Sequence, residues 1–176
     1  MLSGGAACLG IAAIAADFHA RHAKATPASP PGYLGPHLFT TWDVLEPDRV
    51  AAMWAYRRFV DSQARFHFVA PFSRIAHGKP FDTPESEIRR TGGRSATEVL
   101  LTKLGMEQDA KLALLGRMTH LAEITPWTLP SDRPAQRLAQ DLKELAGNAP
   151  SEVSARADQI FQYLDKWYTA SGNEKE

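Results

Sequence analysis

The chain has 176 residues, of which 44% are apolar, and its 20 basic and 20 acidic side chains cancel to a formal charge of +0. That is the size of one domain with enough apolar content for a real core. No charge field would draw it to nucleic acid or to an anionic membrane surface, so neither is expected as a partner.

Residues 5–16 form a small apolar run, followed by Ala23-Lys24-Ala25. The run is shorter than the roughly 20 residues a dedicated membrane helix needs. Its length and the A-x-A pattern suit a secretory signal, so residues 1–25 are expected to be a signal peptide and the mature chain periplasmic or secreted. The alternative is an uncleaved helix that anchors the N-terminus in the membrane. Cleavage would remove Cys8, the single cysteine, and with it disulfides, thiolate metal sites and cysteine redox chemistry. No integral span would remain. Residues 26–36, rich in Pro and Gly, are a linker by composition.

From His37 to Asp43, β-branched and aromatic residues alternate as in a strand. Pro47 suits the first position of a helix running to Val60. That helix is apolar nearly all round, with Val50, Met53, Trp54, Tyr56 and Val60 on one arc and Ala51, Ala52, Ala55 and Phe59 on the other side. Burial on two faces is expected. Arg57 falls within the apolar arc, and a guanidinium held there needs a negative companion, because an isolated ion in a low-dielectric site costs several kcal/mol. Asp61, Asp82 or a bound anion could supply it. A second strand follows at 65–70, so strand, helix and strand form a βαβ unit with parallel strands. Residues 71–84 read as loop.

Ser95-Ala96-Thr97-Glu98 is a capping box opening a helix to Leu104, which Gly105 ends. Further helices are expected over about 107–124, from a cap at Ser131 or Asp132 through Ala146, and from a cap at Ser151 onward, with 171–176 as a frayed tail. The fold class is α+β, a small N-terminal βαβ sheet unit packed with a helix-rich C-terminal half, in one domain over 37–170.

The string Asp48-Arg49-x-Ala51-x-x-Trp54-x-x-Arg57-Arg58-Phe59-x-Asp61-x-x-Ala64-x-Phe66-x-Phe68-Val69 resembles the chromate-resistance domain of ChrB-type proteins. So does Gly78-x-Pro80-Phe81-Asp82-x-Pro84, and the likeness runs on to His120-x-x-Glu123 and Trp127. The resemblance implies a role in chromate resistance, as a chromate-responsive regulator or an accessory factor, with some members exported; an exported accessory protein is the expectation here. Larger members carry a His-Arg-Gly and a nearby Cys after the Pro-Phe-Asp segment. Here residues 89–95 stand in that place with neither His nor Cys, so any role resting on those groups does not carry over.

Two candidate sites follow. Chromate is a tetrahedral dianion, and guanidinium groups bind such ions with paired donors. The anion-binding candidates are Arg49, Arg57, Arg58 and Arg94, supported by Asp48, Trp54, Asp61 and Asp82. Arg94 flanks the Gly92-Gly93 turn before the capping box, where a helix N-terminus offers N–H groups to an anion. The bland alternatives are structural ion pairs, stacking of Arg58 on Trp54, and a solvated basic loop at Arg89, Arg90 and Arg94. The second candidate is a divalent metal held by His120 and Glu123, spaced i, i+3 on one helix. No dinucleotide or flavin signature is present, so neither cofactor is expected. The leading expectation is a non-catalytic protein that binds an oxyanion or a metal. A metal-dependent hydrolase and a structural or partner-binding module, the latter marked by an exposed aromatic patch, are the alternatives.

Overall fold

The computed structural model describes residues 37–128, 132–148 and 152–170. The expected signal peptide, linker and tail, and the expected caps Ser131 and Ser151, lie outside them. Strand β1 (Leu38–Trp42) leads into helix α1 (Pro47–Phe59) and strand β2 (Arg65–Val69). A short strand β3 (Lys79–Pro80) precedes four helices: α2 (Ala96–Leu104), α3 (Ala110–Glu123), α4 (Arg133–Asn148) and α5 (Val153–Thr169). This is the expected α+β arrangement, a small sheet followed by helices.

The sheet has the order β2-β1-β3, and both pairings are parallel. β1 and β2 are in register from Leu38 opposite Arg65 to Trp42 opposite Val69, as a βαβ unit requires. β3 corrects the expectation of loop over 71–84. Its two residues pair with Phe39 and Thr40. So short a segment, half of it proline, carries no strand pattern of its own; the free edge of β1 makes it a strand.

Helix α1 sits at the centre. From Pro47 to Ala55 every residue is buried, because α1 packs on α2, α3 and α5 as well as closing the crossover from β1 to β2. Trp54 is buried and its Nε1–H donates to Asp165 on α5 at 2.9 Å. Phe39, Tyr56, Phe66 and Phe81 form an aromatic set between α1 and the sheet, edge-to-face except for Phe39 and Phe66, whose rings are tilted by 35°. The capping box forms as expected: Ser95 Oγ accepts from the Glu98 N–H at 3.1 Å, and Glu98 Oε2 accepts from the Ser95 N–H at 2.8 Å. Gly105 ends α2 in the left-handed conformation at φ 65. Helix α3 crosses α2 at Gly116, where a Cβ would lie 3.6 Å from Glu98 Cγ.

Gly78 sets the approach of β3. Its φ is +72, and a Cβ there would lie 2.9 Å from Thr40 Oγ1 and 3.0 Å from the Leu38 carbonyl oxygen, both on the central strand. Gly78→Ala combines a left-handed backbone with a clash against main chain, and is expected to cost about 2 kcal/mol. In a chain of this size that is a fall in Tm of roughly 4–8 °C on thermal denaturation. An unchanged Tm would show that β3 is seated loosely.

Candidate functional site

The chain leaving β1 and the chain leaving β3 diverge at the carboxyl edge of the sheet, the edge where open parallel sheets place ligand sites. From β1 come Glu46, at the N-terminal boundary of α1, then Asp48 and Arg49 in its first turn. From β3 comes Asp82, whose φ of 48 is positive, a conformation aspartate tolerates better than most residues. Arg90 follows eight residues later, and Glu123 arrives from the end of α3.

These six side chains form one cluster. Arg49 is 4% exposed, and its Nη1 donates to the Val44 carbonyl at 2.5 Å. Its Nε lies 3.0 Å from Asp82 Oδ2, and Nη1 lies 3.5 Å from Glu46 Oε2. Its guanidinium also stands over the Trp42 ring, 5.6 Å from the centroid. Arg90 reaches the same Glu46 oxygen at 3.2 Å, Glu123 at 3.3 Å and Asp48 at 3.5 Å. One oxygen of Glu46, a third exposed, is thus shared by two guanidinium groups. The Nε–H groups of Arg49 and Arg90 are buried without an aligned acceptor, and Asp82 Oδ2 without an aligned donor. The contact between Arg49 Nε and Asp82 is therefore one of charge. The hydroxyls of Thr41 and Thr83, next to this edge in sequence, are also buried and unpartnered.

The carboxylates outnumber the guanidiniums, and the protonation equilibria reflect it. Burial pushes the Asp82 carboxyl up to about 6, against the pull of Arg49 and with the help of Asp48. Glu123 is raised by burial and by Glu46 and Asp48, although Arg90 opposes the rise. Burial works against the charge on Arg90, but Glu123, Glu46, Asp48 and Asp82 outweigh it and its pKa rises. Asp48 is tied differently: fully buried, it accepts from the N–H groups of Ala96 at 2.8 Å and Thr97 at 2.9 Å, at the N-terminus of α2.

Several expectations need correction. Arg57 is not held inside the core. Its side chain is 41% exposed at the seam of α1 and α5, paired with Asp158 at 3.2 Å and stacked on the Phe161 ring at 4.8 Å. The arc on which it lies ends at that seam, so its stem is covered and its head is wet. Neither Asp61 nor Asp82 is its partner; Asp61 pairs with His37 at 2.8 Å. Arg58 stacks on Trp54 as expected, at 5.9 Å, and pairs with Asp165 at 2.7 Å. Arg94 bonds the Glu98 carbonyl at 3.0 Å and lies 3.8 Å from Glu107. The N-terminus of α2 is not open to an anion, because Asp48 and the capping box occupy its N–H groups. Of the four arginine candidates only Arg49 belongs to the cluster. His120 and Glu123 turn to separate partners, Glu98 at 3.0 Å and Arg90 at 3.3 Å. Among the described residues no group of three or more His, Cys, Asp or Glu is placed to hold a metal ion. Glu46 was missed, and Arg90, weighed with Arg89 and Arg94 beside the Gly92-Gly93 turn, was set down as part of a solvated loop. Arg90 reads in sequence as one of several loop arginines, and only a charged residue directly before Pro47 hinted at Glu46.

Fold and site together define a small α+β module that carries an arginine–carboxylate cluster at the carboxyl ends of a parallel sheet. Residues 39–171 match the family described as ChrB, C-terminal domain. The chain belongs to that family. It is similar to Protein ChrB of Cupriavidus metallidurans, 28% identical over 123 residues. The match covers 69% of this chain and 37% of that protein, so the chain spans little more than a third of the relative's length. No solved structure matches the chain significantly.

Proposed function

We propose that the chain is a non-catalytic accessory module of chromate resistance that binds a tetrahedral oxyanion through Arg49 and Arg90. Membership in the ChrB C-terminal family supports the accessory role. The observation that carries the binding reading is a pair of buried, unaligned Nε–H donors on two guanidinium groups that share one carboxylate a third exposed. Glu46 Oε2 stands where an anion oxygen would stand, and its side chain can swing to solvent. The α1 N-terminus beside it has no side-chain cap, which adds positive dipole at the same place. Export completes the proposal, on the strength of the apolar run 5–16 and Ala23-Lys24-Ala25.

Thermal denaturation with chromate, sulfate and phosphate at about pH 6 tests the reading. An anion at 100 times its dissociation constant adds about 2.7 kcal/mol of stability. Arg90→Gln is expected to abolish the shift with the far-UV spectrum unchanged, and Glu46→Gln to enlarge it. No shift with any of the three anions, or a full shift in Arg90→Gln, defeats the proposal.

A partner-binding role has its own observation. Phe72 is 87% exposed at a φ of 64 and stacks on Trp42 at 4.9 Å, with Val44 also exposed. This small aromatic patch adjoins Arg49 through Trp42.

A further inference from the structure

The excess of carboxylates poses a problem for an anion, and its solution has a measurable consequence. We propose that oxyanion binding at Arg49 and Arg90 is coupled to uptake of one proton by Asp82, so that the site fills in acid and empties as pH rises. This rests on the reading above and concerns how that same site is regulated.

The groups that face the site are Glu46, Asp48 and Arg49 from α1, Asp82 and Arg90 from the segment after β3, and Glu123 from α3. Lys143 of α4 acts on Glu123 from farther away. Four carboxylates against two guanidiniums leave an excess of two negative charges when all are ionised. A dianion entering that field is repelled unless negative charge leaves. Glu46 can leave by rotation, since its side chain is 35% exposed. Asp48 cannot: two backbone N–H groups hold its carboxylate. Glu123 stays against Arg90 at 3.3 Å.

Asp82 can leave only by taking a proton, because its side chain is 4% exposed and its backbone is fixed, the Asp82 N–H donating to the Ile88 carbonyl at 2.9 Å. It is chemically ready for this. Oδ2 has no aligned hydrogen-bond donor, Oδ1 accepts only a long bond from the Arg90 N–H at 3.4 Å, and burial already pushes the carboxyl up to about 6. Protonation does two things at once. It removes the charge that competes for Arg49 Nε, 3.0 Å away. It also turns an acceptor oxygen into an O–H donor that an anion oxygen can use. The balance is simple: ionised protein, one proton and the dianion give the protonated complex, and no bond other than the O–H bond is made.

Sulfate is the probe, because its own charge does not change between about pH 5 and pH 8. Titration calorimetry of the full chain in two buffers of different ionisation enthalpy counts the protons. Uptake of about one proton is expected near pH 7.5 and none near pH 5. Above about pH 6 the dissociation constant should weaken roughly tenfold per pH unit. In Asp82→Asn, which keeps a residue tolerant of positive φ, affinity should be the same at every pH with no proton uptake. Glu123→Gln should keep the uptake. Wild-type binding without pH dependence or uptake overturns the coupling and leaves the site standing. Uptake lost in Glu123→Gln overturns the assignment to Asp82, even if Asp82→Asn fails to fold. No binding of sulfate at any pH overturns the site and the coupling together.

Discussion

Asp48→Ala is expected to lower the stability of the fold by about 3–5 kcal/mol, read as a fall in the urea midpoint with the slope of the transition unchanged. Asp48 is fully buried and joins three parts of the molecule. Its side chain sits on α1, its two oxygens accept from the Ala96 and Thr97 N–H groups that open α2, and Arg90 lies 3.5 Å away. Its own carbonyl accepts from Thr97 Oγ1 at 3.1 Å. Alanine leaves two buried N–H groups without acceptors, each costing about 1–3 kcal/mol. It also takes a negative neighbour from Arg90. Asp48→Asn keeps one acceptor oxygen and should lose roughly half as much. A loss below about 1 kcal/mol for alanine would mean that α2 is positioned by its apolar face alone.

The same residue shows what could be read in advance. The capping box at Ser95 and the stop at Gly105 are local, written within a few residues, and both formed. The parallel βαβ unit and the burial of α1 follow from alternation and from an apolar surface without a polar side. The hydrophobic wheel also flagged a buried cation on α1, but chose the wrong one. It ranks side chains by angle and cannot tell where a neighbouring helix ends. Arg57 lies on the arc but meets the seam with α5, whereas Arg49, one helical stretch earlier, lies where α1 meets the sheet edge and is 4% exposed. Charge partners were harder still. Arg49 and Asp82 are separated by 33 residues and Arg90 and Glu46 by 44, and no local pattern links them. The link runs through β3, whose two residues become a strand only because β1 has an open edge. The partners of His120 and Glu123 were out of reach for a related reason. Spacing puts both on one helix face but does not say that His120 meets Glu98 and Glu123 meets Arg90.

Arg49→Met is expected to lower stability by about 3–5 kcal/mol near pH 8 and by clearly less near pH 5. Methionine keeps most of the volume of the buried stem but removes the charge that pulls hardest on Asp82. In the native chain burial already raises Asp82 from 3.8 to about 6. A carboxyl raised on folding contributes stability that is fully present below its unfolded value and is lost as pH rises through its folded value. Without Arg49 the folded value climbs further, so the loss extends to higher pH, and the gap between native chain and variant opens above about pH 6. Below that, Asp82 is neutral in both proteins. What remains is the orphaned Val44 carbonyl, which accepts from Arg49 Nη1 at 2.5 Å, and a change in packing under Trp42. Urea titrations at both pH values measure the gap directly. Arg49→Met combined with Asp82→Asn, which removes both charges, should recover part of the loss near pH 8, since an uncharged pair avoids the stranded carboxylate. An equal gap at the two pH values, or no recovery in the double variant, would show that Arg49 serves the fold through its stem and not through its charge.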